Sequence, residues 1–394
     1  MTATRILLTD TASGTWQERF GLRPGDGLRL AGSADWSVRK ETLRGGTSDG
    51  IDVVTIDNGR LTLSVLPTRG MGVWDAVYRG LRAGWKSPAE RPVHPAFVPL
   101  ESRNGLGWLR GFGELICRCG LTSNGPPGPD PGGNPIESPL PLHGRIANLP
   151  AHRVELILDD DGLGTITLAG VVDETTLYGS NLRLTTAIST VAGSDDFVIR
   201  DVVTNRGAGP AESQLLYHIN VGPPFLERGS RFVVPASEVA PRDARAAEGW
   251  ETWDACGLPE VGYAEQVYFV RPVSNERGES FVLLRNAGGD KGLSVHFRTD
   301  RLPCLSLWKN TAAEADGFVA GLEPATNYPN HRSFERAQGR VVTLGPGESY
   351  ETFVRVSIHD HLENVAALEA IAAGMTGERP PTVHRSPQAG FSPA

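Results

Sequence analysis

Cysteine and lysine are both scarce in this sequence. The 394 residues include four cysteines and four lysines, so the basic residues are mostly arginine. Four scattered cysteines are too few for a disulfide scaffold. The Cys117-x-Cys119 spacing also differs from the two-residue spacing typical of zinc and redox pairs. The cysteine usage therefore predicts a reduced, cytoplasmic protein.

Long apolar runs and an excess of positive charge are missing as well. No stretch approaches the ~20 apolar residues that a membrane-spanning helix needs. Residues 1–11 lack the basic and apolar regions of a signal peptide. The 46 acidic residues outnumber the 38 basic ones, which gives a net charge of −8 and argues against binding to many phosphates. We therefore expect neither a membrane nor a nucleic acid as a partner.

Glycine and proline are abundant, at 47 and 29 residues, and their irregular spread is typical of many turns between short elements. Between these turns, apolar and polar residues alternate with the period of a β-strand. Two such runs in 51–66 flank Asp57-Asn58-Gly59, which predicts a β-hairpin. Further alternating runs lie at 153–158, 164–172, 182–191, 197–205, 212–218, 231–234, 266–273, 280–285, 292–298 and 340–357.

The spacing of these runs predicts an all-β protein, a large antiparallel sandwich or barrel with few short helices. A doubly wound α/β fold would need amphipathic helices between the strands, and only Leu362 to Met375 has a good helical pattern. We predict a single domain over residues 1–394, with its core at about 40–357. Residues 122–142 are predicted to form a long loop and residues 380–394 a flexible tail.

Two histidines and one glutamate stand in polar motifs that interrupt the strands. His143 follows the long loop, His218 ends an alternating run, and Glu323 precedes a proline. A histidine near its ordinary pKa of ~6.5 transfers protons at neutral pH, and a carboxylate serves as a base. An acid and a base on opposite sides of a hemiacetal would open a sugar ring and close it again. Each of the three also has a structural interpretation, as a satisfied core histidine or a solvated turn carboxylate.

A metal site is another interpretation of the same residues, because two histidines and one carboxylate can hold a first-row metal. Their separations of 75 and 105 residues, from 143 to 218 and from 218 to 323, give that interpretation no support. We predict no metal and no cofactor. The glycine-rich turns lack the strand-then-helix context of a phosphate-binding loop, and no Gly-x-Ser-x-Gly elbow of a serine hydrolase is present.

Several short motifs, taken in order over about 40–357, resemble the aldose 1-epimerase (galactose mutarotase-like) superfamily, and most closely its DUF4432 branch. The motifs that carry the resemblance are Asn58-Gly59, Leu66-Pro67-Thr68-Arg69-Gly70-Met71, Gly84-Trp85, His94-Pro95, Trp108-Leu109-Arg110-Gly111-Phe112, Cys119-Gly120-Leu121, Leu142-His143-Gly144-Arg145, Tyr217-His218 and Leu322-Glu323-Pro324. The resemblance implies a large antiparallel β-supersandwich with a sugar site in a cleft on one sheet face.

The resemblance also implies roles for three residues. His143 would bind the substrate at the ring oxygen or the C1 hydroxyl, His218 would be the general acid on the ring oxygen, and Glu323 would take the proton of the C1 hydroxyl. Gly144-Arg145 after His143 differs from the Gly-Gly of the galactose enzymes and resembles the branch that acts on hexose 6-phosphates.

The resulting prediction is an isomerase of the aldose 1-epimerase type that interconverts sugar anomers by acid–base ring opening. A keto-sugar epimerase or isomerase, with or without a metal, and a non-catalytic carbohydrate-binding protein are the alternatives. A sugar is the predicted partner, and a homodimer is a further option. The residues predicted to bind the substrate are Arg69, Arg110, Arg145, Trp308 and Lys309.

Overall fold

Two large antiparallel sheets make up most of the computed structural model, which describes residues 3–26, 30–31, 35–159 and 162–393. Strands account for 43% of the chain and helices for 13%, which confirms the all-β prediction. The strands are β1 (Thr4–Asp10), β2 (Thr15–Trp16), β3 (Arg19–Leu22), β4 (Ser37–Thr42), β5 (Asp52–Asp57), β6 (Leu61–Leu66), β7 (Gly72–Tyr78), β8 (Leu81–Ala83), β9 (Ile116–Leu121), β10 (Arg153–Asp159), β11 (Thr165–Thr175), β12 (Asn181–Val191), β13 (Asp196–Asn205), β14 (Ala211–Val221), β15 (Arg231–Val233), β16 (Ala236–Pro241), β17 (Gln266–Pro272), β18 (Glu279–Arg285), β19 (Gly292–Arg298), β20 (Cys304–Asn310), β21 (Val319–Ala325), β22 (Val342–Leu344), β23 (Ser349–His359) and β24 (Thr382–Val383).

Helical segments are short within the described residues. The α-helices are α1 (Ser102–Gly105), α2 (Ala244–Ala247), α3 (Arg332–Ala337) and α4 (Leu362–Thr376). The last of these confirms the helix predicted from Leu362, and it ends at Gly377, whose φ of 60° suits a glycine cap. Short 3₁₀ segments lie at Gly46–Ser48, Pro95–Phe97, Leu106–Gly111, Ile146–Asn148, Trp250–Thr252 and Glu314–Asp316.

The first sheet has the strand order β15-β18-β19-β23-β13-β12-β11-β10-β1-β2. The second has the order β24-β16-β17-β20-β21-β14-β9-β7-β6-β5-β4-β3, with β22 beside β14 and β8 beside β7. The predicted hairpin is confirmed as β5 and β6, which pair around Asn58 and Gly59. Among the described strand pairs, only that of β16 and β24 is parallel, so the chain builds antiparallel sheets as predicted.

The main hydrophobic core lies between the inner faces of the two sheets. In β11 and β12 every second side chain is buried, as expected for strands with one face in the core. The core cluster draws residues from Leu8 in β1 to Ile358 in β23. We propose that the chain is one domain, and this continuous core supports the proposal.

Loops cover the outer face of the central strands of the second sheet, and this second layer positions the candidate site. All side chains of β9 and β21, and nearly all of β14, are buried, so both faces of these strands are covered. The covering layer includes residues 84–112 and the irregular segment 122–142, which was predicted as a loop. Asp130 anchors this loop, because Arg332 and Arg336 of α3 both donate to its carboxylate.

The predicted flexible tail is wrong for the described residues 380–393. Strand β24 pairs with β16, and Phe391 is buried against Tyr328, with ring centroids 5.3 Å apart. The side chain of Asn330 also donates to the backbone oxygen of Phe391 at 2.7 Å. Phe391 is a large apolar residue near the end of a polar, proline-containing segment, and it is the feature of the sequence that indicates packing of this segment on the sheet.

Candidate active site

His218 and Glu323 face each other across two adjacent strands at the centre of the second sheet. The register of β14 and β21 pairs Ile219 with Leu322 and Leu216 with Ala325, so His218 and Glu323 are cross-strand neighbours on the outer face. The Nε2 atom of His218 lies 3.4 Å from Oε1 of Glu323. Both side chains are almost fully buried. The β-ladder therefore brings together two residues that are 105 positions apart in the chain.

Gly321 supplies the space that the Glu323 carboxylate occupies. A Cβ atom at position 321 would lie 2.5 Å from Oε1 of Glu323 and 3.0 Å from the Cβ of Trp308. Any side chain at this position would push the carboxylate away from His218. The glycine is thus required by close approach on the site face rather than by its own backbone angle.

The surroundings of the pair determine where its proton resides. Nδ1 of His218 donates to Oδ1 of Asn220 at 2.7 Å, because the Asn220 amide nitrogen itself donates to the backbone oxygen of Glu114. This leaves Nε2, the atom that faces Glu323, as the proton acceptor in the neutral ring.

The pKa values of the pair are shifted in opposite directions. Burial, and then the nearby His143, lower the pKa of His218 to about 3. Burial, and then the charge of Glu265, raise the pKa of Glu323 to about 8. At neutral pH the pair therefore holds one proton, on Glu323.

His143 enters the site from the loop layer. It has a left-handed backbone, with φ of 56°, and its Nδ1 lies 2.8 Å from the backbone oxygen of Asn124 at the start of the long loop. The ring centroid of His143 is 5.4 Å from that of His218. Burial lowers the pKa of His143, so this ring is also neutral near pH 7. The structure thus brings His143, His218 and Glu323 into one cluster.

Aromatic rings surround the His218 imidazole. The ring of Phe112 is 4.9 Å away, that of Trp308 5.3 Å, and that of Trp108 6.2 Å. Such rings match the apolar face of a pyranose. The sequence predicts Trp308 as a substrate contact, whereas Trp108 and Phe112 stand in the motif around Arg110 and are not among the predicted site residues.

Two buried polar atoms at this cluster have no hydrogen-bond partner among the described residues. They are Nε1 of Trp108 and Oγ of Ser306, and Ser306 is paired in register with Glu323 on the neighbouring strand. Buried polar groups in proteins are nearly always hydrogen-bonded. The two atoms therefore give the cluster unused capacity to bind polar groups.

Glu265 and Arg242 complete the cluster, and neither is among the site residues predicted from the sequence. Oε2 of Glu265 accepts a hydrogen bond from Nε1 of Trp308 at 2.7 Å, and Oε1 accepts from Arg242 at 3.0 Å. The charges of Glu265 and Arg242 also act in opposite directions on the pKa of Glu323. Neither residue stands in a recognisable motif, so only the tertiary structure reveals them.

Arg69 requires a correction. Its guanidinium is buried and donates to Glu114, to Asn148 at 2.9 Å, and to the backbone oxygens of Val93 and Gly111 at 2.8 and 3.0 Å. These bonds use most of its N–H donors. The predicted contact of Arg69 with a substrate is therefore wrong. Arg69 instead joins the loop layer to the sheet.

Lys309 and Arg145 also lie apart from the cluster. Lys309 follows Trp308 on β20, so its side chain points to the opposite face of the sheet, where Nζ donates to the backbone oxygen of Thr252 at 2.7 Å. The prediction that Lys309 shapes the same pocket as Trp308 is wrong for this reason. Arg145 pairs with Glu101 at 2.7 Å and lines a separate cavity of about 340 Å³.

Arg110 stays a predicted substrate contact, because it is exposed in the turn between Trp108 and Phe112. We expect Arg110→Ala to raise KM by about tenfold, the value of one charge-assisted hydrogen bond, with little change in kcat. Steady-state kinetics and thermal unfolding of the variant check this. A fall in melting temperature with unchanged kinetics would assign Arg110 to the scaffold.

Among the described residues, no group of three or more His, Cys, Asp or Glu side chains is arranged to hold a metal ion. In the same part of the chain no helix has the length and apolar character needed to cross a membrane.

The fold agrees with comparisons to known proteins. The architecture is that of the galactose mutarotase-like proteins. More specifically, residues 48–358 match the domain of unknown function DUF4432, and the chain belongs to this family, as the sequence motifs predicted.

Several solved structures are similar to this chain. A candidate aldose 1-epimerase from Klebsiella pneumoniae subsp. pneumoniae is 35% identical, with 98% of this chain and 99% of that chain aligned and a TM-score of 0.93. A galactose mutarotase-like protein from Clostridium acetobutylicum is 15% identical over 82% of this chain and 98% of its own, with a TM-score of 0.57. A candidate aldose 1-epimerase from Escherichia coli K12 is 15% identical over 79% and 99%, with a TM-score of 0.51. The last two show the fold alone. A search of the curated proteins found no match to the sequence.

Proposed function

We propose that this protein is an isomerase of the aldose 1-epimerase type, which interconverts the anomers of a sugar by acid–base ring opening. The observation that carries the proposal is the buried contact of 3.4 Å between Nε2 of His218 and Oε1 of Glu323, beside the rings of Phe112 and Trp308. The name of the 35% identical relative from Klebsiella pneumoniae supports the same reaction class.

The proton count of the pair fits the chemistry. Ring opening of an aldose removes one proton from the C1 hydroxyl and adds one to the ring oxygen, so it needs one acceptor and one donor at the same time. A His218–Glu323 pair with one shared proton contains one of each. In the proposed reactive form His218 donates to the ring oxygen and Glu323 accepts from the C1 hydroxyl. In the resting pair the proton is on Glu323. Its transfer from Glu323 to Nε2 of His218 produces the reactive form.

His143 has a different proposed role. Its Nδ1 is engaged by the backbone oxygen of Asn124, which leaves Nε2 as the atom available to a ligand. It would hold the oxygen at C1 or the ring oxygen while the C1–C2 bond rotates, and reclosure on the other face then gives the second anomer. The indole of Trp308, held by Glu265, would support the apolar face of the sugar ring.

One-dimensional NMR of anomeric exchange tests the proposal directly. Freshly dissolved single anomers of a panel of aldoses and aldose 6-phosphates are followed with and without the protein, in the presence and absence of a divalent metal. We expect at least one aldose to equilibrate far faster with the protein than without it. Binding without any accelerated exchange across the panel would instead assign the protein to carbohydrate binding.

The pH dependence should follow the unusual titration of the pair. Above pH about 8, Glu323 loses the only proton of the pair, and no acid remains. Below pH about 3, His218 gains a second proton, and no base remains. We therefore expect kcat/KM to be flat from pH 5 to 7 and to fall about tenfold per unit well above 8. Exchange rates corrected for spontaneous mutarotation check this, and a midpoint near 6.5 would contradict it.

A further inference from the structure

A cavity of about 500 Å³ opens near the end of β20 and is lined by Lys309. It is separate from the proposed active site, because Lys309 and Trp308 project from opposite faces of the same strand. Other lining residues are Thr252, Cys256, Leu258, Tyr263 and Gln266. The volume lies within the range of cavities that bind small organic molecules.

Lys309 places a positive charge in this cavity without an acidic partner. The residue is 3% exposed, yet within the described residues no carboxylate lies within ion-pair distance of its ammonium group. Nζ donates to one backbone oxygen, that of Thr252, and lies 5.5 Å from the ring centroid of Tyr268. An ammonium group has three N–H donors, so Lys309 keeps donor capacity for another acceptor.

The neighbouring ionisable groups do not neutralise this charge. Cys256 lines the same cavity, and burial raises the pKa of its thiol to about 12, so the thiol is neutral. The carboxylate of Asp254 is paired with Arg231 at 2.6 Å, and Arg245, a second cation, pairs with Glu248. Glu260 lies exposed at the rim of the cavity. The cavity therefore has a buried cation at its wall and an acid only at its edge.

We propose that this cavity binds a small organic anion, a carboxylate or a phosphate monoester, whose charged oxygens pair with Lys309. A buried charge is costly unless it is paired, and an anion of this kind supplies the missing partner. The Tyr263 hydroxyl donates to Oε1 of Gln266 at 2.8 Å, and Gln266 Nε2 donates to the backbone oxygen of Arg245 at 3.1 Å, so the charged donor for the anion is Lys309. Leu258 and Cys256 suit the carbon portion of such a ligand. The proposal does not depend on the isomerase reaction.

The test is calorimetric titration of the full-length protein with inorganic phosphate, glycerol phosphate and butyrate at constant ionic strength, with chloride as the reference anion. Comparison of the three distinguishes a carboxylate ligand from a phosphate ligand. We expect at least one of them to bind, and Lys309→Met to weaken that binding at least tenfold. Lys291→Met is the matched control, because Lys291 is a partly exposed lysine paired with Asp290, and it should leave the affinity unchanged.

A second variant keeps the test decisive if Lys309→Met does not fold. Gly257 lines the cavity, and a Cβ atom added there would meet no heavy atom within 4 Å. Gly257→Leu should therefore fold, and because it adds bulk at the cavity lining we expect it also to weaken binding at least tenfold. Equal affinity in the wild type and in either cavity variant would overturn the proposal, as would the absence of binding by all three anions.

Discussion

Glu323→Gln is expected to lower kcat for anomeric exchange by about 10²–10⁴-fold, the usual contribution of general acid–base catalysis, with KM comparatively preserved. Glutamine keeps the volume and the polarity of the side chain next to His218. Its amide neither carries the acidic proton of the pair nor accepts a proton near neutral pH. The measurement is the exchange rate of the best aldose as a function of its concentration, for wild type and variant.

The same variant should be more stable than the wild type, which separates lost chemistry from lost folding. The pKa of Glu323 is raised to about 8 in the folded chain. Below pH about 4.5 the Glu323 carboxyl is protonated in both the folded and the unfolded chain. Folding then buries no charge at this position. From there to about 8, the unfolded chain releases the proton and stability falls by about 1.4 kcal/mol per unit. Glutamine removes this dependence, so at pH 7.5 we expect a gain of roughly a few kcal/mol.

Two further variants complete the test of the acid–base pair. His218→Asn should also lose about 10²–10⁴-fold in kcat. The double variant should lose less than the product of the two factors, since donor and acceptor act in one event. Full exchange activity in Glu323→Gln would remove Glu323 from the mechanism. Strictly multiplicative losses would mean that the two residues act in separate steps.

The sequence predicts those strands that have one buried and one exposed face. Alternation is visible in β10 to β13 because their outer side chains remain accessible to solvent. It disappears in β9 and β21, where the loop layer buries the outer face as well. Strand β21, which carries Glu323, is therefore hard to find by periodicity, although it lies at the centre of the second sheet. Strand β14, which carries His218, does show alternation in its sequence over 212–218.

The residues of the candidate site can also be predicted only in part from the sequence. His143, His218 and Glu323 stand in short motifs, so a family resemblance finds them, and the structure brings them together. Arg69 and Arg110 both occupy glycine-rich turns and look alike in sequence. Only the tertiary structure distinguishes them, because the partner that makes Arg69 structural, Glu114, is 45 residues away.

Arg118→Met is expected to destabilise the protein by about 3–5 kcal/mol, the usual effect of breaking a buried ion pair by removing one partner. Arg118 projects from β9 into the space between the sheets and pairs with Asp201 on β13. It also donates to Thr186 at 2.7 Å and to the backbone oxygens of Gly70 and Met71 at 3.1 and 3.0 Å. Its loss would leave the buried Asp201 carboxylate with neutral donors such as Tyr217, whose hydroxyl lies 2.8 Å away. Urea unfolding at pH 7 gives the free-energy change.

The control is the exposed ion pair of Arg5 and Glu155 at 3.1 Å, which lies on the first sheet, as Asp201 does. Arg5→Met should lower the free energy of unfolding by less than about 1 kcal/mol. The double variant Arg118→Met/Asp201→Leu should recover part of the lost stability, because no unpaired charge then remains between the sheets. Tyr217 shares this interior with Arg118 while the next residue, His218, faces the candidate site. Asp201 also accepts from the Tyr217 hydroxyl, so the ion pair is linked through Tyr217 to β14, the strand that carries the proposed acid. A loss no larger than that of Arg5→Met would show that the pair does not stabilise this part of the fold.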